Sequence, residues 1–141
     1  SVAGYLTTYS DTVVIDLGTA TTFDVVSKNK EYLGGSIAPG IKISLDALTS
    51  KTASLKSVEL DTPNKVIGKN TYEAIQSGLI MGHASMIDSM VEKIILEIDI
   101  KPKIILTGGL SKVVQPILNV NVEYIENLTL VGLEEIFKLN N

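Results

Sequence analysis

The sequence predicts an α/β domain: a mixed five-stranded sheet with flanking helices. Three observations predict it. Three short β-branched segments follow one another near the start, a long helical pattern fills the middle, and strand and helix patterns alternate to the end. Successive antiparallel strands followed by such alternation give a mixed sheet rather than an all-parallel one. At 141 residues, the chain fits a single domain, 1–141, able to bury a core without staples.

Each element has its own signal. "TVVID" (12–16) is a continuous apolar run, as in a strand covered on both faces. "TTFDVVS" (21–27) alternates, "KNK" (28–30) is a polar turn, and "EYLGGSIA" (31–38) reads as the third strand of a meander. Pro39 and Gly40 break the pattern, and residues 40–52 are expected to form a helix with proline at its start. Residues 53–68 read as a loop. From Asn70 to Ile98 runs the longest helix, with Asn70 and Glu73 in capping order. Its spacing puts Ala74, Ile75, Leu79, Met86, Met90 and Ile94 on the core stripe, with Ile80, Met81, Ile87, Val91 and Ile95 left over. That surplus predicts a homodimer through this helix, and His83 reads as packing or dimer contact. A strand (103–109), a short helix (110–118), a strand (121–125) and a closing amphipathic helix (129–139) complete the chain. This order is the layout of a ribonuclease-H-like half-domain, as in actin, hexokinase and heat-shock ATPases.

Composition narrows the function. With no cysteine and one histidine, neither a disulfide framework nor a thiolate or histidine metal cluster can be built. A net charge of −4, with twelve basic residues gathered into no stripe, argues against nucleic acid as partner. No apolar run is long enough to span a bilayer, and "SVAGYLTTYS" lacks signal-peptide order, so a soluble, cytoplasmic chain without membrane contact is expected. Because the chain starts at Ser1 with what reads as the end of a helix, it is expected to be a fragment or processed piece.

The chemistry concentrates in "DLGTATT" (16–22). A hairpin tip can aim backbone N–H groups and Thr hydroxyls at phosphate oxygens without adding positive charge. A carboxylate such as Asp16 repels phosphate, so its presence implies an intervening hard cation, Mg²⁺ or K⁺, or its water shell. A plain turn flanked by β-forming threonines fits these residues equally well. "TGG" (107–109) follows an apolar strand and precedes a helix, where open α/β sheets bind nucleotides; its bland reading is a tight turn.

Taken together, "VVIDLGTATTFDVV", "YLGGSIAPGIKIS", "VIGKNTYEAIQSG" and "TGGL" resemble, in order and spacing, the C-terminal half of the type III pantothenate kinases, once grouped with Bvg accessory factors. The resemblance implies an acetate and sugar kinase, heat-shock and actin-like fold and a homodimeric enzyme. It also implies ATP-dependent phosphorylation of pantothenate, the first step of coenzyme A synthesis. By position, Asp16 matches the ligand of a monovalent cation (K⁺ or NH₄⁺), and Thr19 matches an ATP-phosphate contact, with Gly18 and Thr21 in the same turn. Thr71 matches a pantothenate contact, and Gly108 and Gly109 match nucleotide-side glycines. Two family motifs do not occur here: the first Asp-x-Gly-Asn-Thr phosphate turn, and the Gly-x-Asp-Arg motif that carries the proposed catalytic base. The expectation is therefore a C-terminal half without its N-terminal half, inactive alone. Alternatives are a transcriptional accessory or partner-binding module, or another kinase or phosphatase of the same superfamily.

Overall fold

The computed structural model describes residues 10–50 and 58–128. Its single sheet has strands β1 (Thr12–Leu17), β2 (Ala20–Val26), β3 (Tyr32–Pro39), β4 (Lys103–Thr107) and β5 (Glu123–Tyr124), in spatial order β3-β2-β1-β4-β5. The first three pair antiparallel, whereas β4 runs parallel to β1 and β5 parallel to β4. This is the mixed five-stranded sheet with flanking helices that the element order predicts.

Alternation along the strands sorts the two faces. Val13, Ile15 and Leu17 of β1, Phe23 and Val25 of β2, and Ile104 and Leu106 of β4 enter the main core. The helices cover that face: Ile41 of α1 (Ile41–Thr49), the middle of α2 (Thr71–Ile98) and Val114 of α3 (Ser111–Val114) join the same cluster. Val14 and Ile105 point to the opposite face and pack with Leu128 and Ile125.

Helix boundaries follow local chemistry. Gly40, not Pro39, caps α1, because Pro39 still pairs with Ala20 at the end of β3. Asn70 Oδ1 accepts the Glu73 N–H at 2.9 Å, and the Glu73 carboxylate reaches back to the Lys69 N–H at 2.8 Å, so α2 starts where the capping pattern predicts. Asp99, in the left-handed region at φ 51°, closes it. The segment expected as one short helix is a four-residue α turn followed by a 3₁₀ turn, Gln115–Ile117, because Pro116 cannot continue the α ladder. β5 is two residues long rather than five. The expected closing helix (129–139) and the opening residues 1–9 lie outside the described residues, as do 51–57.

The core stripe of α2 differs from the predicted one. Ser77, Ile80, Ala84, Ile87 and Val91 are the buried positions, and Leu79, Met86, Met90 and Ile94 flank them half-covered. Ala74, predicted in the core, is exposed. Nearly every candidate face of this helix is apolar, so period alone could not select one. Small residues select it: Gly78, Gly82, Ser85 and Ser89 are exposed, roughly opposite the buried row, leaving the larger apolar side chains to the sheet.

Candidate functional site

The C-terminal ends of β1 and β4, parallel and adjacent, open into two glycine-bearing turns. Asp16 ends the outward row of β1. Its register partners are Thr22 on β2 and Thr107 on β4, so three oxygen-bearing side chains lie side by side on the face opposite the helices. Neighbouring strands stand about 4.8 Å apart, which makes this row compact. Asp24 lies on the same face one step further along β2, where its Oδ1 accepts the Tyr32 hydroxyl at 3.0 Å.

Burial in this crevice raises the pKa of Asp16 above the usual aspartate value, and repulsion from Asp24 raises it further. No hydrogen bond from a described residue opposes that shift. A carboxylate held in this way gains most from a cation. The available donors are a carboxylate and hydroxyls, hard oxygens that suit K⁺, NH₄⁺ or a partly hydrated Mg²⁺. Among the described residues, no three His, Cys, Asp or Glu side chains gather as a metal cluster.

Two glycines press on this turn. At Gly108, φ is +102°, and a Cβ there would stand 2.6 Å from the backbone N and C of Leu17 and 2.7 Å from Asp16 Oδ1. Only glycine lets the β4 turn lie against the β1 end. Gly40, at the start of α1, lies equally close to the hairpin tip: a Cβ there would meet the carbonyl oxygens of Thr19 and Gly18 at 2.1 and 2.8 Å. Gly18 and Thr19 themselves are exposed at the tip, and Gly109 faces open space.

The predicted residues therefore divide. Asp16, Gly18, Thr19, Gly108 and Gly109 come together at the ends of β1 and β4. Thr21 does not join them, because it points to the helix-covered face, is 1% exposed, and has its hydroxyl 2.7 Å from His83 Nε2 on α2. A side chain so covered and engaged cannot reach a phosphate in the crevice. His83, expected to be packing or dimer contact, is instead a hydrogen-bonding partner, and burial lowers its pKa below the ordinary histidine value. Thr71 is exposed at the first residue of α2 and lines a groove of about 630 Å³ with Leu48, Lys69, Ile75 and Leu79. Sequence reading missed Thr22, Thr107 and Gly40. Strict alternation from Asp16 and the apolar length of β4 could have placed the two threonines on the acid's face.

A sequence model of the type III pantothenate kinase family matches residues 1–93. A type III pantothenate kinase of Desulfatibacillum aliphaticivorans is 43% identical over 138 residues, 97% of this chain and 54% of its own length. One from Anaeromyxobacter sp. (strain K) is 45% identical over 128 residues, 91% of this chain and 50% of its own. The chain thus spans about half the length of these relatives. A Campylobacter jejuni crystal structure, described as a Baf family transcriptional activator, superposes with a TM-score of 0.64 at 26% identity, over 98% of this chain and 62% of that one. No described helix is long and apolar enough to cross a membrane.

Proposed function

Because this chain belongs to the type III pantothenate kinase family, we propose that it works as the C-terminal half of an enzyme that phosphorylates pantothenate with ATP. The product is 4′-phosphopantothenate, and the reaction opens coenzyme A synthesis in the cytoplasm. The observation that carries this reading is the meeting of Asp16, the Gly18–Thr19 tip and the Gly108–Gly109 turn at the ends of two parallel strands. Nucleotides bind at that position in open α/β sheets.

Phosphoryl transfer needs positioning and charge neutralisation more than covalent chemistry. The Thr19 hydroxyl and the exposed backbone of the tip contact the ATP phosphates, and Gly109 leaves room for the nucleotide to approach β4. Asp16 holds K⁺ or NH₄⁺, with Mg²⁺ arriving on ATP. A cation held by Asp16 would supply charge neutralisation between that carboxylate and the phosphates. Thr71, at the positive end of a 28-residue helix, donates to the substrate in the adjoining groove. The base that takes the proton of the pantothenate hydroxyl belongs to the N-terminal half, so the chain alone is inactive. A homodimer is kept on the family resemblance alone, because Ile80, Ile87 and Val91, named from the sequence as surplus apolar surface, are buried in this domain's own core.

The test is an ATP-consumption assay on the chain alone and on the chain joined to an N-terminal half. Pantothenate-dependent turnover stimulated by K⁺ is expected only from the joined form, and Asp16→Asn should abolish the stimulation. Turnover by the 141-residue chain alone, or none from the joined form, contradicts the reading. The description of the Campylobacter relative favours a transcriptional role instead, and DNA binding that weakens steeply with salt would support that alternative.

A further inference from the structure

We propose that His83 is a positioning residue for the nucleotide turn, acting through the buried hydroxyl of Thr21; this rests on the reading of Gly18–Thr19 as the phosphate-facing tip. Thr21 is the second residue of β2 and lies two positions beyond Thr19. It is 1% exposed, yet it carries a hydroxyl into a face otherwise lined by Val13, Ile15 and Phe23. A buried hydroxyl is costly unless bonded, and here the bond comes from His83 Nε2 at 2.7 Å. Either neutral tautomer of the ring can make it.

A matched pair of apolar residues would satisfy this part of the core as well, since replacing both partners of a buried hydrogen bond is often neutral. What the bonded pair adds is direction. Apolar attraction is non-directional, whereas a short hydrogen bond also fixes the orientation of one group against another. His83 is well placed for this, because its neighbours Ile80, Ala84 and Ile87 lock α2 onto the sheet. At the tip itself, Gly40 abuts the carbonyls of Gly18 and Thr19, so the start of α1 restrains the turn in addition to the Thr21–His83 bond. Phosphoryl transfer is sensitive to errors of about 1 Å in such placement. His83 also lies on the helix that starts at Thr71, twelve residues and about 18 Å away along its axis, so one rigid element references both the substrate groove and the nucleotide tip.

The test uses the enzyme with both halves present and compares Thr21→Val, Thr21→Ser, His83→Leu, His83→Gln, the Thr21→Val/His83→Leu double variant, and Thr19→Ala. Thr21→Val and His83→Leu should each raise KM for ATP about tenfold, the effect of one lost buried hydrogen bond, while KM for pantothenate moves less than about twofold. The double variant should be no worse than either single one, and should melt within about 2 °C of the parent. Thr21→Ser and His83→Gln, which keep a hydrogen-bonding group, should restore KM for ATP to within about twofold of the parent. If both single variants keep the parent KM for ATP while Thr19→Ala raises it, the linkage is wrong and the reading of the tip survives. If Thr19→Ala also leaves KM for ATP unchanged, the reading of the tip fails and the proposal fails with it. Additive losses in the double variant that track melting temperature would make the bond merely structural and overturn the proposal.

Discussion

Replacing Gly108 by alanine should destabilise the protein by about 3 kcal/mol, although it adds only one methyl group. Two costs combine. Alanine at φ +102° pays backbone strain of roughly 1–3 kcal/mol. The new Cβ would also stand 2.6 Å from the Leu17 backbone and 2.7 Å from Asp16 Oδ1. Overpacking costs about 1–3 kcal/mol, and backbone atoms at the end of a central strand cannot swing aside as a flexible side chain could. In a domain of this size, the sum lowers the melting temperature by about 10 °C. Urea unfolding of Gly108→Ala beside Gly109→Ala is the decisive comparison. A Cβ on Gly109 meets nothing within 4 Å, so that neighbouring change should cost less than about 0.5 kcal/mol. Equal stability of the two variants would refute the packing of β4's turn against β1.

Three further outcomes follow from individual groups. Without added cation, Asp16→Asn should raise stability near pH 7: the raised pKa of Asp16 means the folded state prefers its protonated form, so stability falls as pH climbs through the folded pKa, and melting curves above pH 4 should show this slope flattened in the variant. His83 behaves in the opposite sense, because its lowered pKa makes the unfolded chain bind the proton more tightly; its contribution is complete above about pH 6.5 and declines as pH falls, which thermal melts of the parent and His83→Leu will separate. Asp88 accepts the backbone N–H groups of Asn119 and Val120 and the Asn119 side-chain amide, so Asp88→Ala should cost about 2 kcal/mol in urea unfolding, and Asp88→Asn should recover part of it.

Where the sequence could be read, one physical signal dominated. Val13 to Ile15 and Ile104 to Leu106 are apolar runs bounded by turns, so β1 and β4 were visible with nearly their true ends. Asn70 and Glu73 fixed the start of α2 because capping is local. The face of α2 was not legible, since large apolar residues occur around most of its circumference and only the sheet decides which are buried. The turns themselves were legible as strings: the structure lays Gly108 against Leu17 and Asp16 at the ends of β1 and β4, with the Gly18–Thr19 tip exposed at the end of β1. Thr21 was misplaced because three threonines in four positions look alike as a string, while a strand sends successive residues to opposite faces. The Thr21–His83 bond spans 62 residues, a separation at which local pattern carries no information.

The pairing of β1 with both neighbours has a kinetic consequence. Its antiparallel contacts with β2 close a tight turn, so they cost little chain entropy and can form early. Its parallel contacts with β4 join Thr12 to Lys103 and Asp16 to Thr107 across the whole length of α2, and must wait until that helix has docked. On loop-closure cost alone, the flank that β2 gives Asp16 costs less to form than the flank from β4. A chain stalled midway would hold the meander, protect the amides of β1 and β2 from exchange, and still have no crevice in which to seat a nucleotide.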